Sequence, residues 1–171
     1  LDLRNLMYTG YAAFNGPFVI RYPRGKGEMK DWRNEMQVLP IGKGKKLRDG
    51  DDIAVLSIGP IGNEVIKAIE MVKEEGVSIA HYDMIYLKPL DEELLHEIGQ
   101  KYNCIITVEN GVIKGGFGSA VLEFMADNGY TPHVKRIGVP DAFIEHGSIP
   151  ELYQLCGMDA ESIAKQLKKE N

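Results

Sequence analysis

Three short stretches hold the residue types best suited to chemistry in this sequence. The first is Arg21-Tyr22-Pro23-Arg24-Gly25. Two arginines three residues apart, at the end of an apolar run and before a glycine, can present planar guanidinium forks to a phosphate or carboxylate. The competing reading is a solvated pair at a domain edge, where arginines are common and contribute little. The second is Glu109-Asn110-Gly111, followed closely by Gly115-Gly116-Phe117-Gly118-Ser119. In a parallel sheet such a strand-to-helix junction lies on the carboxyl edge, where ligands bind and helix N-termini attract anions. Its glycines match neither the dinucleotide fingerprint nor the phosphate loop with its Lys-Ser/Thr, which favours a tight crossover with closely approaching backbones. In the third stretch, Phe143-Ile144-Glu145-His146-Gly147-Ser148, a histidine stands beside a carboxylate. A general base is one use for it. A surface or interface histidine is the favoured use, because no nucleophile is recognisable nearby in sequence.

The remaining reactive residues are sparse. His81, His96 and His133 share no metal-ligand spacing, and no Ser-His-Asp set is evident. Cys104 and Cys156 read as buried thiols in a reducing cytoplasm. The net charge of −5 conceals an asymmetry: residues 1–50 hold ten Lys/Arg against five Asp/Glu, and residues 51–171 hold ten against twenty. An acidic body without an aromatic-plus-basic platform argues against nucleic acid as a partner. No apolar run approaches the roughly 18 residues of a membrane span, and Leu1-Asp2-Leu3-Arg4 is no secretory leader, so a cytoplasmic protein without a membrane partner is expected. A first residue of leucine rather than methionine points to a piece of a longer chain.

Positioning these residues requires regular elements. A helix is expected over 3–14, stopped by Asn15-Gly16-Pro17, and a short strand over 18–22, cut by Pro23. Residues 24–41 read as a polar linker. A lone helix and strand cannot bury their own faces, so residues 1–23 are expected to be the tail of another domain. From residue 42 the pattern is regular. An edge strand over 42–48 should join the buried strand Ile53-Ala54-Val55-Leu56-Ser57-Ile58 as a hairpin through Asp49-Gly50. Pro60 opens a helix that Gly76 ends, and a strand follows over 77–83. Asp91 caps the next helix, with Leu90 and Leu95 placed as a hydrophobic staple. A buried strand over 104–108, a helix over 118–128, a strand over 134–138 and helices near 149–156 and 159–169 complete the pattern. This alternation predicts a three-layer α/β/α sandwich over 42–171, its sheet mainly parallel with one antiparallel edge strand.

Several stretches together resemble the 1-deoxy-D-xylulose-5-phosphate synthase family of transketolase-like thiamine-diphosphate enzymes. They are Met7-Tyr8-Thr9-Gly10-Tyr11, Arg21-Tyr22-Pro23-Arg24-Gly25, Leu39-Pro40-Ile41-Gly42-Lys43-Gly44, Leu87-Lys88-Pro89-Leu90-Asp91, Thr107-Val108-Glu109-Asn110, Gly115-Gly116-Phe117-Gly118-Ser119 and Gly138-Val139-Pro140-Asp141. The resemblance implies that residues 1–23 end a pyrimidine-binding domain and that 42–171 form the C-terminal domain. It implies a parent transferase that joins pyruvate to glyceraldehyde 3-phosphate with loss of CO2, in isoprenoid and thiamine precursor synthesis. The chemistry there belongs to thiamine diphosphate and Mg²⁺. By motif position Arg24 would bind the phosphate of the aldehyde and Arg21 would support it. The metal-diphosphate segment of the family is not matched by Asp49-Gly50-Asp51-Asp52, and the glutamate that activates the cofactor would lie upstream of Leu1. This chain is therefore expected to hold no catalytic, cofactor-binding or metal-binding residue and to be inactive by itself. Its expected partners are the upstream domains, a second subunit in a homodimer and a small phosphorylated substrate. The alternatives are the C-terminal domain of a 2-oxoacid dehydrogenase beta subunit, or a non-catalytic dimerisation module.

Overall fold

The run Ile53–Ile58 is the middle strand of a five-stranded sheet, and five of its six residues are buried, as a strand covered on both faces requires. The computed structural model describes residues 2–23 and 33–169 and comprises two compact units, Leu1–Ile41 and Gly42–Asn171.

The first unit carries helix α1 (Asp2–Ala12). The expected strand over 18–22 does not form; among the described residues this stretch belongs to no helix or strand, with Val19 and Tyr22 exposed. Its β-branched and aromatic side chains have no neighbouring strand to pack on, and strand propensity alone cannot replace one. Residues 37–39, expected as linker, lie along α1, where Asn5 and Thr9 hold their backbone.

The second unit contains β1 (Lys45–Arg48), β2 (Ile53–Ile58), β3 (Ile79–Asp83), β4 (Cys104–Val112) and β5 (His133–Val139), in spatial order β1-β3-β2-β4-β5. Strands β3, β2, β4 and β5 are mutually parallel and β1 runs antiparallel to β3, which is the expected mixed sheet. Helices α2 (Gly62–Met71) and α6 (Ala160–Lys169) cover one face, packing on Ile53, Val55, Ile79, Ile106 and Val108. Helices α3 (Glu92–Lys101) and α4 (Phe117–Asp127) cover the other, packing on Ala54, Leu56, Ala80, Tyr82 and Ile105. Alternate residues of β2 thus feed opposite cores, the period of a pleated strand. The short helix α5 (Ile149–Leu155) starts at a capping box in which Ser148 and Glu151 bond reciprocally. Among the described residues no helix is long and apolar enough to cross a membrane.

The expected hairpin between β1 and β2 is corrected by this order, because β3 lies between them. The connection steps over the start of β3, where the N–H groups of Asp51, Asp52 and Ile53 all donate to the Ser78 carbonyl at 2.8–3.3 Å. Gly50 passes so close that a Cβ there would stand 2.2 Å from the Ala80 nitrogen. The burial patterns give the reason. β3 is buried at four of five positions and needs cover on both faces, while β1, Lys45-Lys46-Leu47-Arg48, is exposed at three of four and suits an edge.

Smaller shifts follow local chemistry. Gly59 and Pro60 form a tight turn, so α2 begins at Gly62 rather than at the proline. β4 runs on through Val112, beyond the expected end at 108, with its register against β5 shifting between Val108 and Val112.

Candidate functional site

The arginine segment follows α1. Arg21 is exposed, and Arg24 with Gly25 lies outside the described residues. Both flanks of the segment rest on α1. Phe18 packs so tightly over Gly10 that a Cβ there would meet its Cδ1 at 2.8 Å, and the Phe14 and Phe18 rings meet edge to face at 5.5 Å. On the returning side, Thr9 Oγ1 accepts from Leu39 N at 2.8 Å and Asn5 Oδ1 accepts from Gln37 N at 3.1 Å.

At the carboxyl edge of the sheet, the extension of β4 brings Glu109 under the start of α4. Its buried carboxylate accepts from Phe117 N at 2.9 Å and from Gly118 N at 2.8 Å, satisfying N–H groups that a helix start leaves without partners. A negative group there is also favoured by the helix dipole. The glycines make room for it: a Cβ at Gly116 would lie 2.2 Å from Glu109 Oε2, and one at Gly118 2.5 Å from Thr107 Oγ1. Arg136 closes the loop, donating to the Ile113 carbonyl at 2.7 Å and to Ser119 Oγ at 2.9 Å. The place an external anion would take is filled by the protein's own carboxylate, and the geometry is that of the tight crossover.

One pairing escaped the sequence reading. Ser57 Oγ and His81 Nε2 are 2.8 Å apart, each residue only 1% exposed, on adjacent strands under the start of α2. Desolvation pulls the imidazole down to about 4 from its ordinary 6.5, so the ring is neutral. Gly62 keeps the space above the pair clear, since a Cβ there would meet Ser57 Oγ at 2.8 Å. His81 also floors an open cleft of about 380 Å³ bordered by Leu47, Ile66 and the ion pair Arg48–Glu70 at 2.9 Å. Among the described residues Ser57 is the ring's hydrogen-bond partner, and no carboxylate orients it as a catalytic triad requires. The positions are 24 residues apart, and only the β2–β3 register, with Val55 opposite His81, reveals their contact.

The other histidines have different surroundings. His146 and Glu145 are exposed in the loop before α5, beside the fully exposed Phe143. His96 Nδ1 meets the Tyr130 hydroxyl at 2.9 Å and the ring stacks edge-on to Phe124, a structural setting between α3 and α4. Cys104 and Cys156 form no disulfide with each other and are half-buried against the α2/α6 core rather than fully enclosed. Among the described residues no three His, Cys, Asp or Glu side chains converge on one point.

Residues 42–163 match the family model "Transketolase, C-terminal domain", and the chain belongs to that family. It is 98% identical over all 171 residues to the 1-deoxy-D-xylulose-5-phosphate synthase of Parabacteroides distasonis, of which it covers 27%. It is 60% identical over 170 residues to the synthase of the same name from Bacteroides thetaiotaomicron, covering 99% of this chain and 26% of that protein. The chain thus spans about a quarter of the length of the curated relatives it matches. Among solved structures, a split-gene transketolase described as an inactive beta4 tetramer superposes with a TM-score of 0.70 at 31% identity, over 78% of this chain and 43% of that one. A transketolase from Campylobacter jejuni shares the fold alone, with a TM-score of 0.56 at 13% identity over 75% of this chain and 18% of that one. The named relatives favour the synthase resemblance over a 2-oxoacid dehydrogenase beta subunit.

Proposed function

We propose that this chain serves as the C-terminal part of a 1-deoxy-D-xylulose-5-phosphate synthase, which condenses pyruvate with glyceraldehyde 3-phosphate and releases CO2. The product would feed isoprenoid and thiamine precursor synthesis. The observation that carries this reading is the 98% identity across the whole chain to a protein of that name. In this reading thiamine diphosphate and Mg²⁺ are held by upstream domains, and this chain completes the subunit of a cytoplasmic homodimer. Arg24 binds the phosphate of the aldehyde substrate and Arg21 supports it, because a guanidinium fork matches phosphate oxygens in charge and geometry.

The isolated chain is inactive in this reading and binds no cofactor. Two observations support that. The α4 N-terminus is already occupied by Glu109, and the split-gene neighbour, which carries a domain of this fold, is described as inactive and self-associating. Calorimetric titration with thiamine diphosphate and Mg²⁺ tests the point: saturable micromolar binding is expected for the full-length protein and no heat for the 171-residue chain. Micromolar binding by the chain alone would overturn this division of labour.

A further inference from the structure

The open cleft floored by His81 has no part in the functions assigned so far, although three features of the fold converge on it. It measures about 380 Å³ and is bordered by Leu47, Arg48, Ile66, Ile69, Glu70 and His81. That volume falls within the range of small-molecule pockets, which are mostly apolar with a few placed polar groups. The first feature is a register slip at the sheet edge. Lys46 of β1 pairs with Tyr82 and Arg48 pairs with His81, so Leu47 is an extra residue on β1. Such a bulge re-aims side chains. Leu47 and Arg48 would face opposite sides of a regular strand, and here both border the cleft. The second feature is the floor. His81 uses Nε2 on Ser57, and its Nδ1 has no hydrogen bond among the described residues. The ring is neutral and enclosed, so it suits a neutral polar group rather than a charge. The third is the mouth. Arg48 gives one N–H to Glu70 at 2.9 Å, and its remaining donors are uncommitted among the described residues. Lys73 reaches the same carboxylate at 3.4 Å, so two cations share one anion there.

We propose that this cleft binds a small amphipathic carboxylate. The carboxylate meets the uncommitted guanidinium donors of Arg48 at the mouth, a flat apolar body lies between Leu47 and Ile66, and a neutral hydroxyl at the inner end bonds His81 Nδ1. A hydroxyl suits either tautomer of the ring, because it both donates and accepts. The surplus of positive charge at the mouth favours an anion, and the planar fork of the guanidinium matches a carboxylate. A phenolic acid the size of 4-hydroxyphenylacetate meets all of these requirements. The cleft is built wholly from the Gly42–Asn171 unit, so its ligand does not depend on what the arginine segment does.

The test uses the full-length protein with ¹³C-labelled isoleucine methyl groups, titrated with 4-hydroxyphenylacetate and followed by NMR. The Ile66 and Ile69 signals, assigned through Ile66→Val and Ile69→Val, are expected to shift saturably with a Kd of about 1 mM or tighter. Phenylacetate, which lacks the hydroxyl, should bind about threefold to tenfold more weakly. 4-Hydroxyphenylethanol, which lacks the carboxylate, should bind about tenfold more weakly. Arg48→Met should weaken 4-hydroxyphenylacetate about fivefold to tenfold and leave the alcohol within about twofold. If Arg48→Met does not fold, the three ligands on the unsubstituted protein still decide. Ile66 and Ile69 signals that stay in place at about 20 mM acid would overturn the site. So would equal affinities for the three ligands, or an Arg48→Met protein that binds the acid as tightly as wild type. The cleft would then hold apolar matter without reading its charge or its hydroxyl.

Discussion

His81 is a buried side chain whose removal from water has a chemical consequence. Enclosed to 1% exposure and bonded to Ser57, it titrates at about 4 in the folded protein and near 6.5 when unfolded. Well above pH 6.5 neither state binds the proton and the site is without effect. As pH falls from 6.5 toward 4 the unfolded chain takes up a proton that the native state refuses, so stability is lost throughout that window. The slope approaches about 1.4 kcal/mol per pH unit and the loss levels off near about 3 kcal/mol. Urea denaturation at pH 7 and pH 5 should therefore show wild type losing about 2 kcal/mol more than His81→Gln. Parallel losses in the two proteins would mean that His81 takes its proton normally in the folded state. The sequence could not show this environment. Ser57 and His81 are ordinary residues until the strand order places them side by side, and strand order is a property of long-range pairing. Glu109 stood out by its place before the glycines, but its role as an internal anion needed β4 to extend to it. Arg21 and Arg24 stood out by type and spacing alone; Arg21 is exposed, and Arg24 lies outside the described residues.

Among the elements, α3 shows how one side chain can serve two purposes. Asp91 was legible as a cap flanked by Leu90 and Leu95, and its Oδ1 does accept from Leu94 N at 3.2 Å. The structure adds that its Oδ2 accepts from Gly44 N at 2.9 Å and that Lys43 reaches the same carboxylate at 3.3 Å, so one buried group starts a helix and anchors the entry to β1. Asp91→Ala is expected to destabilise the protein by about 2 kcal/mol, combining a lost cap with a stranded Gly44 N–H. Asp91→Asn should retain at least half of that, and thermal unfolding of the two variants decides it. Equal, small losses would show that the bonds of Asp91 to Leu94 N and Gly44 N contribute little to stability. The hairpin between β1 and β2 was misjudged for a related reason. Asp49-Gly50 is a sound turn signal, but Gly50 serves to cross the start of β3 against Ala80, and Tyr102 Oη and Lys101 Nζ both donate to its carbonyl. Turn chemistry reports where the chain bends and leaves open which strand it bends around.

At the scale of the whole chain, the alternation of buried strands with amphipathic helices made the three layers legible, because each period of 2 or 3.6 residues is written locally. Two cores result, one under α2 and α6 and one under α3 and α4, and the central strand serves both. Residues 42–163 fit the C-terminal domain of transketolases, and the chain amounts to 27% of its 98%-identical relative. In the proposed reading this domain supports chemistry performed elsewhere in the subunit, and Glu109 occupies the start of α4. The most direct measurement is a product assay with pyruvate, glyceraldehyde 3-phosphate, thiamine diphosphate and Mg²⁺, run on the 171-residue chain and on the full-length protein that carries it. The prediction is 1-deoxy-D-xylulose 5-phosphate from the full-length protein and none from the chain. Turnover by the isolated chain, or a well-folded and cofactor-loaded full-length protein that makes no product, would contradict the account.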